Sequence, residues 1–318
     1  MTFDALWQKW RKFWFEPKSA LPICIFRILV GLISIQNAWH TWPGFLSWYG
    51  VNGVVSIDNI VKHNWEGLPR FDLILMLPPS DAWLLAFFAA YVVATFFLTI
   101  GFCTRYSAAF MALSLISFHH HNVFNANGGD AFQRLALVFL TFSHADACLS
   151  LDALLKRRRG GTAQPALYSP WAQRMLQVQV SMIYCDSFWN KVVHSEWLDG
   201  TAVYYATRID DLIRFPMSFL LDNLLALKLL AWGTLAVEFS MWTLIWFRKT
   251  RYFALAAATL FHLGIDTAMS IPVFEWIMIA SYVNFIEPED LSRLALWVKE
   301  KAALLGKLGR SSFRLKRL

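Results

Sequence analysis

Long apolar runs alternate with short polar stretches along this chain. The runs are continuous rather than alternating residue by residue, which is typical of helices in a bilayer and not of membrane barrels. The pattern predicts an all-α fold, a polytopic integral membrane bundle of about eight transmembrane helices. The expected spans are residues 21–39, 83–102, 108–118, 131–142 (extending to about 151), 171–189, 223–247, 253–265 and 273–286.

The segments around these runs predict three parts. Residues 1–19 mix basic and aromatic side chains at helical spacing, as interfacial amphipathic segments do. Residues 20–290 form the transmembrane domain, and the basic loop 156–170 joins its two halves. Residues 291–318 form a basic tail. Arg27 lies inside the first run, where it either snorkels to the interface or partners an acidic group or an anionic headgroup.

Basic residues lie in short clusters between the runs, and with eight spans these clusters fall on one side. The positive-inside rule makes that side cytoplasmic, together with both termini. The segments 40–79, 119–130, 191–214 and 264–272 then share the opposite side. Because these segments carry most of the histidines and several acidic groups, we expect a polar site on that side.

Composition supports a membrane environment. The chain is 57% hydrophobic and 16% charged, whereas soluble domains have about 25% charged residues. The lipid bilayer is therefore an expected partner. A net charge of +7 is also common in nucleic-acid binders, but the clustered placement fits membrane topology, so we expect no nucleic-acid partner. The four cysteines show no metal-binding spacing.

Lys191 is the first candidate for chemistry, because it lies just beyond an apolar run. Desolvation there favours the neutral amine, which can act as a base. The alternative is an interfacial lysine that anchors the span. His194 lies one turn further and can relay a proton.

His262 and Asp266 are four residues apart and share a helix face, so the carboxylate can orient the imidazole. The alternative is a satisfied polar pair between helices. Glu238 lies inside another apolar run, where an acid must pair or stay protonated.

A polar turn follows three adjacent histidines that end with His121. Neighbouring positions on a helix point about 100° apart, so all three cannot bind one metal, and a metal site would need distant ligands such as His194. We assign no metal. The turn includes Asn125, Asn127 and Asp130, which either line a polar cavity together with His121 or form a plain connection capped by Asp130.

Four motifs in this order resemble the HTTM (horizontally transferred transmembrane) family, whose domain is shared with the membrane part of vitamin K-dependent γ-glutamyl carboxylases. The motifs are FRILVG, NANGGDAFQRLAL, IYCDSFWNKVVHSEWLDGTAVYY and FHLGIDTAMSIPVFEWIMIASYVNFI. The resemblance covers most of residues 20–290, which makes this segment an HTTM-like domain. It implies a multi-pass protein of a cell membrane, here the bacterial inner membrane.

In the carboxylases, a lysine that precedes a Trp-x-x-Gly motif deprotonates vitamin K hydroquinone. Trp197 and Gly200 match that motif here. Lys191 lies six residues before the tryptophan, whereas the family lysine lies five before it, at the place of Val192. His262 matches a family histidine. The carboxylases also add a lumenal domain for the protein substrate, whereas this chain stops at residue 318.

Two functions therefore stay open. The first is a membrane-embedded enzyme, carboxylase-like or quinone-linked, that uses a quinone or vitamin K-like hydroquinone or another lipophilic small molecule. Its catalytic residues would be Lys191, His194, His262 and Asp266. Its substrate-binding residues would be His121, Asn125, Asn127, Asp130, Trp197 and Glu238. The second is a non-enzymatic accessory protein for a peptide or redox protein partner.

Overall fold

The chain folds almost entirely into helices, as expected from the sequence. The computed structural model describes residues 2–54, 71–160, 167–297 and 299–301. Within these ranges the extended structure is a pair of two-residue antiparallel strands, β1 (Lys18–Ser19) and β2 (Leu167–Tyr168). Parts of the predicted connection 40–79, of the basic loop 156–170 and of the tail 291–318 lie outside the described residues.

Local sequence signals explain where several helices begin. Ser80 and Ser150 each accept a hydrogen bond from a backbone amide in the first turn of the following helix, which satisfies a donor that the helix itself leaves free. Asn127 and Asp130 form a capping box. The helices are α1 (Phe3–Phe15), α2 (Leu21–Thr41), α3 (Phe45–Tyr49), α4 (Asp81–Ile100), α5 (Thr104–His121), α6 (Gly128–Phe142), α7 (Leu151–Arg158), α8 (Trp171–Val192), α9 (Ser195–Asp199), α10 (Thr201–Ala206), α11 (Ser218–Leu221), α12 (Leu224–Trp242), α13 (Arg251–Ala268) and α14 (Phe274–Ser281).

Helix α14 contacts helices from both halves of the chain. It packs against α2 and α6 from the first half of the chain and against α8 and α13 from the second half. Around it, α4 packs against both α2 and α5, α5 packs against α6, and α12 packs against α8 and α13. Side chains on α14 can therefore reach both halves, which matters for the site described below.

Three helical segments are long and apolar enough to cross a membrane within the described ranges. They are Leu21–Tyr49, Asp81–Ile100 and Leu224–Trp242. The count of eight spans stays a prediction. The fourth expected span ends earlier than the sequence indicated, because α6 stops at Phe142 and Ser143 is extended. The three adjacent histidines belong to the last turn of α5 rather than to a loop.

The guanidinium of Arg27 binds backbone carbonyl oxygens, a contact that the sequence did not indicate. Its side chain is fully buried, and its guanidinium donates to the carbonyl oxygens of Leu98 at 3.2 Å and Leu149 at 2.5 Å. These carbonyls lie at the end of α4 and in the segment before α7, and the Leu98 oxygen also accepts the Gly101 amide at 3.2 Å. The cation thus joins three chain segments, and the two carbonyl oxygens satisfy donors that would be costly to bury alone.

Gly101 makes room for this arginine. It ends α4 with a φ of 71°, and a Cβ placed there would lie 1.8 Å from Arg27 Nη1. We expect Gly101→Ala to lower the free energy of unfolding by about 2 kcal/mol, because it adds left-handed strain and a clash. Thermal unfolding in detergent measures the change.

Gly233→Ala is the matched control, because a Cβ at this position in α12 meets no atom within 4 Å. Its stability should stay equal or rise slightly, since alanine favours helix. Equal melting temperatures for the two variants would contradict the role assigned to Gly101.

Candidate functional site

Lys191 lies in a compact polar cluster at the end of α8. Its Nζ is 2.6 Å from Glu238 Oε1 on α12 and also donates to Ser187 Oγ one turn back. Ser187 donates to the same carboxylate oxygen at 2.8 Å. The ammonium also lies 5.1 Å from the ring centre of Trp197, within the range of a cation–π contact. Thus three residues named from the sequence, Lys191, Glu238 and Trp197, meet in space.

The two charged side chains of this cluster differ in their exposure to solvent. The Lys191 side chain is 22% exposed, whereas that of Glu238 is 4% exposed. The second oxygen of Glu238, Oε2, is buried and has no hydrogen-bond partner among the described residues. A buried carboxylate with one unpaired oxygen can accept a proton, and the partly exposed amine can meet a molecule from outside.

A second cluster is fully buried at the centre of the bundle. The Tyr184 hydroxyl is 2.6 Å from His262 Nε2 and also hydrogen-bonds the hydroxyl of Tyr282. His262 Nδ1 bonds the carboxylate of Glu275 at the start of α14. All four residues are less than 5% exposed. A carboxylate, an imidazole and two phenols therefore form one continuous series of hydrogen bonds.

Helix α8 links the two clusters. Tyr184, Ser187 and Lys191 are spaced by three and then four residues, so all three lie on one face. The same face continues toward the other end of the helix through Gln177, which donates to the Asn284 carbonyl oxygen at 2.6 Å. One side of α8 is therefore polar along most of its length, and α12, α13 and α14 cover it.

A separate cavity of about 370 Å³ opens between the helices of the first half. Seven aromatic side chains line it together with several polar ones, and Pro272 closes it on the side of α14. Three residues named from the sequence, Asn125, Asn127 and Asp130, line it, and so does His119. Lys191 is not among its lining residues. The aromatic lining residues are Phe45, Trp48, Tyr49, Phe88, Tyr91, Phe118 and Phe124.

Two histidine–carboxylate pairs flank this cavity. His119 Nε2 lies 3.7 Å from Asp130 Oδ1, with both side chains 7% exposed. His119 Nδ1 is buried and has no hydrogen-bond partner among the described residues. His121 Nδ1 lies 2.8 Å from Asp72 Oδ2 and does not line the cavity. The structure therefore brings His119 to the cavity wall, where the sequence had favoured His121.

The turn before α6 is tied to α14 next to the cavity. Asn127 Nδ2 donates to the Pro272 carbonyl oxygen at 2.8 Å, while its Oδ1 caps α6. The next residue, Val273, has a φ of 67°, which is strained for a β-branched side chain. Strain of this kind persists only where the surrounding contacts hold it. The strained residue lies between Pro272, which lines the cavity, and Glu275 of the buried cluster.

Two catalytic candidates from the sequence have other surroundings. Asp266 does not orient His262, because its carboxylate lies 3.1 Å from Arg214 Nη1 and Glu275 takes its place. His194 is exposed at the N-cap of α9 and makes no capping hydrogen bond. Asp199 has a local structural role, since hydrogen bonds from the Thr201 hydroxyl and amide hold its pKa below the ordinary value.

Several residues of the two clusters were not named from the sequence. Tyr184 and Ser187 carried a usable signal, because their spacing from Lys191 places them on one helical face. Glu275 carried another, as an acid in an apolar run. Tyr282 had no local signal, since Tyr184 lies far away in the chain. The same holds for Asp72, which belongs to neither cluster and pairs with His121 beside the cavity.

These features define an integral membrane protein whose helices bury several ionisable pairs. The family model of the HTTM domain matches residues 15–289, which is most of the chain. The chain therefore belongs to the HTTM family, which is related to the membrane domain of the vitamin K-dependent carboxylases. No solved structure matches it.

The buried pair between His262 and Glu275 should support the whole bundle. We expect Glu275→Ala to lower the free energy of unfolding by about 3 kcal/mol, because it leaves a buried imidazole without its carboxylate. Glu289→Ala, which removes an exposed carboxylate just after α14, should change stability by less than about 0.5 kcal/mol. Denaturation followed in detergent compares the two, and equal losses would refute the structural role of Glu275.

Proposed function

We propose that this protein is a membrane-embedded enzyme that removes a proton from a lipophilic, quinol-like substrate, with Lys191 as the base. The observation that carries the proposal is the contact between Lys191 Nζ and Glu238 Oε1 at 2.6 Å. A partly exposed lysine whose Nζ contacts a buried carboxylate has a proton acceptor within the same site, which an interfacial anchor does not need.

The pair supplies a route for the proton. Lys191 passes one proton to Glu238 Oε1, which leaves a neutral amine whose lone pair accepts the proton of a substrate hydroxyl. The transfer needs no movement of either side chain, because Lys191 Nζ and Glu238 Oε1 are already 2.6 Å apart. Ser187 forms hydrogen bonds with both Lys191 and Glu238 and so fixes their relative position. Trp197 offers an aromatic face beside the amine.

The cavity in the first half supports the lipophilic character of the substrate. Its aromatic walls suit a flat ring, and the unpartnered His119 Nδ1 suits a carbonyl or hydroxyl oxygen on that ring. Because Lys191 does not line this cavity, we assign the cavity to binding of the lipophilic ring and not to its deprotonation. Asn125 and Asp130 add polar atoms to the same wall. The ring site and the base are thus two testable parts of the proposal.

The site would face the periplasm in a bacterial inner membrane. Lys191, Asn127 and Pro272 lie at helix ends that the charge pattern places opposite the basic clusters. Both termini would then be cytoplasmic. This orientation gives Lys191 an aqueous exchange partner for protons on the outer side.

Removal of the amine should stop turnover without loss of the fold. We expect Lys191→Met to lower the turnover of reduced quinones, followed by mass spectrometry of the products, by about a hundredfold or more. Small primary amines added to the solution should restore part of it. The lipids that co-purify with the protein should stay unchanged, because Lys191 does not line the cavity.

Lys228→Met is the control, since Lys228 lies on α12 and forms no ion pair with the described residues. It should keep full turnover. Full activity of Lys191→Met, or equal losses in both variants, would remove Lys191 as the base.

Filling the cavity should act on binding instead. Thr41 lines it, and its hydroxyl donates to the backbone oxygen four residues back at 2.9 Å. We expect Thr41→Phe to lower the amount of co-purifying ring lipid at least about fivefold, because the new ring takes up the space. Thr267→Phe is matched, since this exposed threonine makes the same backbone bond at 2.7 Å. Equal lipid retention in the two variants would contradict a ligand site here.

One observation favours the accessory-protein alternative. The connection after α8 exposes large apolar side chains, among them Val193 at 71%, Tyr205 at 66% and Phe215 at 65%. An exposed apolar surface of this kind can bind a polypeptide partner. A peptide or protein that co-purifies in stoichiometric amount and is lost on Tyr205→Ser and Phe215→Ser would favour this function over the enzyme.

A further inference from the structure

A second cavity lies at the opposite end of the bundle from Lys191, where α4 turns into α5. We propose that it binds the phosphate headgroup of an anionic phospholipid. Its volume is about 600 Å³, and it lies between the α4–α5 turn and the end of α7. The proposal stands independently of the reaction assigned to Lys191.

The position of the cavity matches the depth of lipid headgroups. Helix α4 has 20 residues and the composition of a membrane span, so it is about 30 Å long, the thickness of a hydrocarbon core. It ends at Ile100, and the cavity begins two residues later with Phe102. Nearby Tyr106 is 80% exposed, as aromatic side chains of the membrane interface are.

The charges around the cavity leave a net positive site. Lys156 and Arg159 both line it, and neither forms an ion pair with any residue that the structure describes. The lining carboxylate, Asp152, is already engaged. It accepts hydrogen bonds from the amides of Cys103 and Thr104, both at 2.9 Å, and from the Thr104 hydroxyl at 2.8 Å.

Because Asp152 is already hydrogen-bonded, the charge that remains around the cavity is positive and favours an anionic ligand. Because Asp152 caps the start of α5, its charge is balanced by that helix end and does not compensate the two cations. An anion that reaches the cavity therefore meets a lysine and an arginine with free donors, the side chains that bind phosphate best. Phe102 and Leu155 add an apolar wall on which the start of an acyl chain can lie.

Four consecutive basic residues allow a sharp test. Lys156 and Arg159 line the cavity, whereas Arg157 and Arg158 on the same exposed turn do not. The double variants K156Q/R159Q and R157Q/R158Q remove the same charge from the same place. Diffuse attraction to an anionic membrane would weaken equally in both, whereas a site would respond only to the first.

The experiment uses the full chain, first stripped of lipid and then mixed with equal amounts of phosphatidylglycerol and phosphatidylcholine in detergent. Native mass spectrometry counts the bound lipids. We expect wild type and R157Q/R158Q to retain phosphatidylglycerol selectively, and K156Q/R159Q to lose at least about fivefold of that retention, given the contribution of each basic residue near a lipid surface. Melting temperatures in detergent confirm that both variants fold.

Three outcomes would overturn the proposal. Equal losses in the two double variants would mean surface charge alone, and no loss in K156Q/R159Q would exclude the cavity. Binding of glycerol phosphate to the lipid-stripped protein as tightly as phosphatidylglycerol would identify a soluble phosphate as the ligand, because the acyl chains would then contribute nothing.

Discussion

A charge or polar group that lies among apolar helices has no water to solvate it. The buried charged side chains of this bundle are therefore paired with groups of the protein itself. Arg27 binds two backbone carbonyls, His262 binds Glu275, and Lys191 binds Glu238. The contacts of Arg27 and Lys191 join segments that are distant in the chain, and that of His262 joins two consecutive helices. The packing of α14 against α13 meets the same demand, because Glu275 on α14 has to reach the imidazole on α13.

The helical bundle and several site residues could be predicted from sequence because their signals are local. An ionisable residue in or just beyond an apolar run is visible without any fold, and this signal indicated Glu238 and Lys191. His262 was indicated by its spacing from Asp266. Their pairing could not be predicted in the same way. Asp266 has the right spacing for His262, yet Arg214 takes it, since long-range packing and not helical periodicity decides which partner is nearest.

Neutral side chains were the harder part of the site. Tyr184, Ser187 and Tyr282 resemble ordinary membrane-helix residues in sequence, and their importance comes from the charged groups they touch. The cavity presents the same difficulty. Its aromatic lining residues come from α3, α4, α5 and the segment after α5. A phenylalanine in an apolar run predicts a lipid-facing surface equally well. Only the packing of these helices distinguishes a wall of a cavity from a surface.

The short ladder between β1 and β2 has a consequence for how the protein is made. Lys18 pairs with Tyr168, and Arg27 on α2 bonds the carbonyl of Leu149. The beginning of the first span thus becomes fixed only after about half of the 318 residues have been synthesised. Until then its cation lacks one of its two carbonyl acceptors, so α2 cannot complete its contacts before the segments up to β2 have been made.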